Sequence, residues 1–227
     1  MKESAFLVAA LVATAAVSSA QAQNVRLGLR AGANYSNLAG NIKNEATYNN
    51  KVGFVGGVML NAPLIGDGLL SVQPEILYSQ KGFENKPTEY TSVLGKQKRE
   101  GQVNYNYIDV PLLFKAKFLG FVAEAGPQYS YLLSANNRTK TTTPTIGNPT
   151  VSEAQDKTDV SALNRNELGY LAGIGYEATN GLSLNLRYTG GFSDFVKSGN
   201  NTYFNGDLKE ARHSAFQLSL GYLIPSK

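Results

Sequence analysis

The 227-residue chain carries 21 Lys and Arg against 17 Asp and Glu, a formal net charge of +4, with 23 glycines, 13 tyrosines, one histidine and no cysteine or tryptophan. Without cysteine there is no disulfide scaffold, no thiolate metal site and no anchor through a lipidated cysteine, and one histidine leaves no His/Cys metal cluster. The basic residues are scattered, with Lys96, Lys98 and Arg99 the one tight group, so the clustered footprint of a nucleic-acid binder is missing.

Met1 to Ala22 reads as a signal peptide. Lys2 gives the positive start, Ala5 to Val17 is a small and apolar run interrupted by Thr14, and cleavage after Ala20 or Ala22 fits the small-x-small rule. The run is shorter than the roughly 20 apolar residues a membrane helix needs, and nothing later approaches that length. Residues 1–22 are therefore the targeting segment and 23–227 a single domain, since all-β barrels of this size fold as one unit.

Within that domain, eight segments alternate apolar and polar residues with period two, the mark of strands whose faces meet different surroundings. They run Val25–Asn37, Val52–Leu64, Leu69–Lys81, Asn104–Phe118, Phe121–Leu132, Glu167–Thr179, Leu182–Phe192 and Ser214–Leu223. Each is long enough to cross a bilayer tilted, which takes about 9–11 residues. Connections alternate in length: Ile65-Gly66-Asp67-Gly68, Leu119-Gly120 and Asn180-Gly181 are tight, whereas 38–51, 82–103, 133–166 and 193–213 are long and polar. Outer-membrane barrels alternate short periplasmic turns with long external loops in this way. The expected fold is all-β, an eight-stranded antiparallel up-and-down transmembrane barrel with both termini periplasmic.

Charge placement separates a membrane barrel from a soluble one. Strand by strand, charged side chains avoid the apolar parity: Arg26 and Arg30 oppose Leu27 and Leu29, Glu75 opposes Ile76, and Asp109, Lys115 and Lys117 oppose Ile108 and Phe114. Glu124, Glu177 and Arg187 follow the same rule. Strand two is weak, with Val55 and Met59 on the polar parity. A face that meets hydrocarbon must exclude Lys and Arg, which cost about 2–4 kcal/mol at the bilayer midplane. Aromatic residues then fall at two levels. Tyr35, Phe54, Tyr78, Tyr129, Tyr131, Tyr170, Tyr188 and Phe216 lie near the external rim, and Phe118, Phe121, Tyr176 and Tyr222 near the periplasmic one, the positions of membrane girdles. Tyr105 and Tyr107 have inward parity, and are either lumenal or displaced by a bulge.

The nine charged residues Arg26, Arg30, Glu75, Asp109, Lys115, Lys117, Glu124, Glu177 and Arg187 would thus share the lumen. An eight-strand barrel is only just wide enough for its own side chains, and buried charges must be paired. A salt-bridged plug is expected; a narrow ion pathway is the alternative. His213-Ser214 at the external rim invites comparison with an activated nucleophile, Asp156 and Asp159 with a weak calcium site, and Gly173-x-Gly175 and Gly190-Gly191 with phosphate loops, but each is more simply a loop or packing feature. No enzyme activity and no cofactor are expected.

The segment YIDVPLLFK (Tyr107 to Lys115) resembles a strand characteristic of the PorT-like outer membrane β-barrel family, often called porin family proteins. GLRAGANYSNL, SVQPEILYSQKGF and GYLAGIGYE are similar to other parts of it, so the resemblance spans the domain. It implies an outer-membrane barrel, and leaves open a structural or binding role in the cell envelope, a small-solute pore, help in protein secretion, or lipid modification. The partners implied are outer-membrane lipids, the barrel-insertion machinery and an external partner reached by the loops, with the chain a monomer. The final residues Leu223-Ile224-Pro225-Ser226-Lys227 depart from the terminal aromatic that many such barrels present for insertion.

Overall fold

The computed structural model describes residues 25–42, 48–65, 68–92, 95–143, 150–158, 160–197, 208 and 210–225; the segment read as a signal peptide, Met1 to Ala22, lies outside them. Nine antiparallel strands occur among the described residues: β1 Arg26–Asn41, β2 Tyr48–Ile65, β3 Leu70–Ser92, β4 Gly95–Phe118, β5 Phe121–Thr143, β6 Thr150–Thr158, β7 Asn166–Glu177, β8 Leu182–Gly191 and β9 Glu210–Leu223. Eight of them close a ring in which β1 pairs with both β2 and β9 while β5 pairs with both β4 and β7. β6 pairs with the far half of β5, from Ala135 to Thr143, and adds a ninth strand outside the ring.

The two-residue alternation of the sequence becomes an inside-out wall. Along β9 every second residue from Ala211 to Leu223 is buried, and the buried members include Gln217 and Ser219 while Leu218 and Leu220 stay more than half exposed. The same inversion holds on β1, where Arg30 and Asn34 are buried and Leu27 and Leu29 exposed. A continuous apolar outer belt of this extent has no stable place in water, whereas hydrocarbon accepts it. Val55 and Met59, the apparent flaw in the second strand, are buried inside and fill the lumen without breaking the phase.

Turn chemistry fixes one end of the ring. Leu119 and Gly120 both have positive φ, 51° and 87°, the left-handed pair whose twist matches the flanking strands. Gly181 follows at 87°, and the Asn180 side chain accepts from the Leu182 N–H at 3.1 Å. At the opposite end the strands run far past the ring. Connections 82–103 and 133–166, expected to be long polar loops, are largely hairpins: β3 and β4 stay paired out to Ser92 and Gly95, with a register shift between Asn85 and Thr88, and β5 and β6 stay in register out to Thr143 and Thr150. Thr-rich stretches such as TKTTT favour strands. Because β6 is exposed on both faces, no apolar periodicity marks it in the sequence.

Among the described residues, the β5–β6 hairpin beyond Arg138 pairs only with the outward extension of β4, Lys98 to Gly101. Joining Arg138 directly to Gln155, which are paired across the hairpin, by Asn-Gly in place of residues 139–154 should therefore leave the barrel intact. The expected change in the urea unfolding free energy is within about 0.5 kcal/mol, the usual size of surface changes, with the folded band of an unheated gel retained.

Candidate functional site

The interior of the ring holds charged groups at three levels, and the middle one is built on four charged side chains. It takes one inward residue from each of four alternate ring strands: Arg30 of β1, Glu75 of β3, Glu124 of β5 and Arg187 of β8. The Arg187 guanidinium donates from Nη1 and Nη2 to Glu75 at 2.8 and 2.9 Å, and from Nε and Nη2 to Glu124 at 2.7 and 3.0 Å. Arg30 lies 3.3 Å from Glu75 and donates to Asn185 and Ser219 at 3.1 and 2.9 Å. Gln73 donates to Glu75 at 2.7 Å and Asn185 to Glu124 at 3.1 Å. Two cations and two carboxylates thus cancel, and the Arg fork satisfies both carboxylates at once, the geometry in which such pairs are strongest. Gly173 makes room for this: a Cβ there would stand 2.8 Å from Cγ of Arg187. The Gly-x-Gly of β7 serves side-chain packing.

Toward the turn end, Glu177 of β7 collects three cations. Lys115 Nζ, Lys117 Nζ and Arg26 Nη2 approach its carboxylate at 2.5, 3.0 and 3.2 Å, and Lys115 also donates to Gln73 at 3.3 Å. Glu177 is enclosed, while Lys117 and Arg26 keep 26% and 20% of their side chains exposed at the mouth.

Toward the hairpin end, Asp109 pairs with Lys81 at 2.9 Å, Tyr107 donates from its hydroxyl to Glu167, and the Lys81 ammonium lies 4.9 Å from the Tyr107 ring centroid. The rings of Phe195, Tyr105 and Tyr107 stand edge-on to His213, with centroids at 4.5, 4.9 and 5.5 Å. Both imidazole nitrogens are buried without a hydrogen-bond partner among the described residues. A cavity of about 10 Å³ beside them is lined by polar groups including Gln128, Glu167 and Thr189, room for a single water. Above it an apolar cap forms from Leu38, Phe83, Val103 and Leu132 of the strands and Leu163, Phe195, Val196 and Leu208 of the connections. Backbone bonds hold the cap in place: Asn164 N–H to Phe195 O at 2.8 Å and Lys197 N–H to Ala162 O at 3.0 Å.

Of the sequence-predicted lumen residues, Arg30, Glu75, Glu124 and Arg187 form one cluster, Arg26, Lys115, Lys117 and Glu177 a second, and Asp109 lies apart from both. Lys81 and Glu167 were not anticipated as its companions, although both have the inward parity of Glu75 and Glu177. Tyr105 and Tyr107 are lumenal, and the β4–β5 register also slips between Asn106 and Tyr107. The twelve aromatics predicted for the girdles are exposed or partly exposed on the outer face, several in contact: Tyr188 with Phe216 at 5.2 Å, Tyr170 with Tyr188 at 6.1 Å, and Phe121 with Tyr176 at 5.6 Å. A shallow cavity of about 590 Å³ among Ala116, Ala123, Ala125 and Ala172 indents this same apolar wall.

His213 and Ser214 occupy successive, opposite-facing positions of β9, His213 buried and Ser214 partly exposed, so the imidazole does not activate that hydroxyl. Asp156 is exposed on β6 and Asp159 lies outside the described residues. On the hairpins Arg138 pairs with Glu153, whose carboxyl it holds below the usual range, and Lys98 with Glu100 at 2.6 Å.

A family model described as outer membrane protein beta-barrel domain matches residues 20–197. Among solved structures the chain is similar to Neisserial surface protein A, with 12% identity over 86% of this chain and 96% of that one and a TM-score of 0.46. It is also similar to Ail, the attachment invasion locus protein of Yersinia pestis, with 13% identity, 89% and 99% coverage and a TM-score of 0.39. The N-terminal β-barrel domain of Pseudomonas aeruginosa OprF gives 12%, 88%, 98% and 0.29. No curated protein matches the sequence.

Proposed function

The chain belongs to the outer membrane protein beta-barrel domain family, and from that premise we propose that it is a non-conducting barrel of the outer membrane whose external hairpins carry its interactions. By the architecture of such barrels the tight turns, and with them both chain ends, face the periplasm, and the hairpins face outward. Within the family we read the chain as PorT-like on the strength of YIDVPLLFK.

The observation that carries this reading is the middle layer of the lumen. Arg187, Glu75 and Glu124 have fully buried side chains and are bonded to one another across the interior, and the apolar cap lies above them. An ion would have to break charge-assisted bonds in a desolvated layer and then cross packed Tyr105, Phe195 and Leu163, which favours a plug over a pore. Polar hairpins standing on such a rigid wall are the usual place for recognition. For the same reason we read the protein as non-enzymatic: the histidine is boxed by aromatic rings and turned away from the neighbouring serine.

Reconstituted into planar bilayers, the full-length barrel should give no steady single-channel current in molar potassium chloride, and vesicles bearing it should not swell in isotonic sugars. Steady, voltage-independent conductance from every inserted molecule would replace the plugged reading with the small-solute pore.

A further inference from the structure

We propose that the turn-end mouth of the lumen is a binding site for a phosphate-type oxyanion, held by Arg26 and Lys117. The charge balance of the three levels points there. The middle layer is neutral, whereas among the described residues the mouth gathers Arg26, Lys115 and Lys117 around one carboxylate, Glu177, a surplus of two positive charges in one small volume. Glu124, the nearest carboxylate of the next layer, is already committed to Arg187 and Asn185.

The three cations are not equivalent. Lys115 is enclosed and bonded to both Glu177 and Gln73, so it suffices to keep the carboxylate satisfied. Lys117 and Arg26 sit on the open side, and each spends one donor on the Glu177 Oε1 atom they share. Both side chains are partly exposed at the mouth, which leaves further donors of Arg26 and Lys117 for an oxyanion that enters it. A planar fork beside a compact ammonium suits the three terminal oxygens of a phosphate. The three basic groups outweigh the negative charge of Glu177, whose role is to hold them within reach of one another.

The same oxyanion chemistry has two sources. One is a soluble phosphate or phosphorylated small molecule on the side the turns face. The other is the headgroup of an anionic phospholipid, whose level is marked on the outer wall by Phe118, Phe121, Tyr176 and Tyr222, all exposed. Binding at the mouth does not depend on the plugged lumen, so conductance of the barrel would leave this site standing.

The test uses the full barrel purified in neutral detergent, with thermal unfolding followed by the gel shift between folded and unfolded forms. Inorganic phosphate should raise the midpoint saturably above a chloride control of equal ionic strength. K117Q and R26Q should each weaken the apparent affinity several-fold, and together by on the order of tenfold or more, the worth of one or two charge-assisted bonds. K98Q, on the distant hairpin, should respond as wild type. In a second arm, native mass spectrometry should show whether phosphatidylglycerol is retained over phosphatidylcholine and lost in the double variant. Retention assigns the lipid headgroup, and a phosphate response without it assigns a soluble ligand. Because Lys115 still pairs with Glu177 in the double variant the barrel is expected to fold, and K117Q alone suffices if it does not. Equal responses to phosphate and chloride, with no lipid selectivity, would overturn the proposal.

Discussion

Replacing Arg187 with methionine is expected to cost about 3–5 kcal/mol, the range seen when one partner of a buried ion pair is removed. Its guanidinium makes four hydrogen bonds to Glu75 and Glu124, and without it two carboxylates remain in the dry interior with Arg30 alone to balance them. Urea unfolding of the purified barrel should show the loss as a lowered midpoint. The second substitution E124Q, added to R187M, should restore much of it, because Arg30 and Glu75 then form a neutral pair. A double-mutant cycle over R187M and E124Q should return a coupling well outside additivity. Additive costs would mean that the middle layer is merely packed and not electrostatically interlocked.

The second large effect is expected at Gly126, on the lumen-facing parity of β5 between Glu124 and Gln128. A Cβ at this position would lie 1.9 Å from the Leu112 carbonyl oxygen of β4, a distance no side chain tolerates. The ladder between the two strands skips this step: Pro111 pairs with Gln128 and Phe114 with Ala125, without pairing of Leu112 and Leu113 in between. Pro127 has no N–H to donate there, and glycine allows the backbones to close the resulting gap. Gly126→Ala drives a methyl group into the Leu112–Leu113 backbone and forces the two strands apart. The expected loss is about 1–3 kcal/mol or more, as for overpacking of a tight interior, together with a smaller folded fraction on unheated gels. Gly101→Ala on the β4 hairpin, where the nearest atom is the Asn85 amide at 3.2 Å, should be close to neutral by comparison.

The ring itself was readable from the sequence because burial on one face forces a strict two-residue period, and the charges Arg30, Glu75 and Arg187 mark that face wherever they occur. What the period did not reveal is β6, where Glu153, Gln155 and Lys157 and their neighbours are all exposed, so nothing distinguishes strand from loop except β-propensity and pairing. The cap was hidden for a related reason. Leu163, Phe195 and Val196 are isolated apolar residues in polar connections, and only the folded chain brings Leu163 opposite Val196. Their presence in such segments is the signal that a part of each connection turns inward. The grouping of the lumen charges was likewise beyond reach. Parity places Asp109 inside, but whether it meets Arg30 or Lys81 depends on the stagger of β3 against β4, which pairs Leu77 with Asp109.

The middle layer draws its four charges from β1, β3, β5 and β8, every second strand around the ring. No hairpin of adjacent strands contains a complete ion pair from this set. A sheet that is still open, with β1 apart from β9, therefore holds its arginines and glutamates at arm's length from one another and keeps them hydrated. Sealing the seam between Gly28–Asn41 and the last strand brings all four together and dehydrates them in the same event. The quartet thus acts as a latch that engages only on closure of the ring, and a half-zipped wall stays wet.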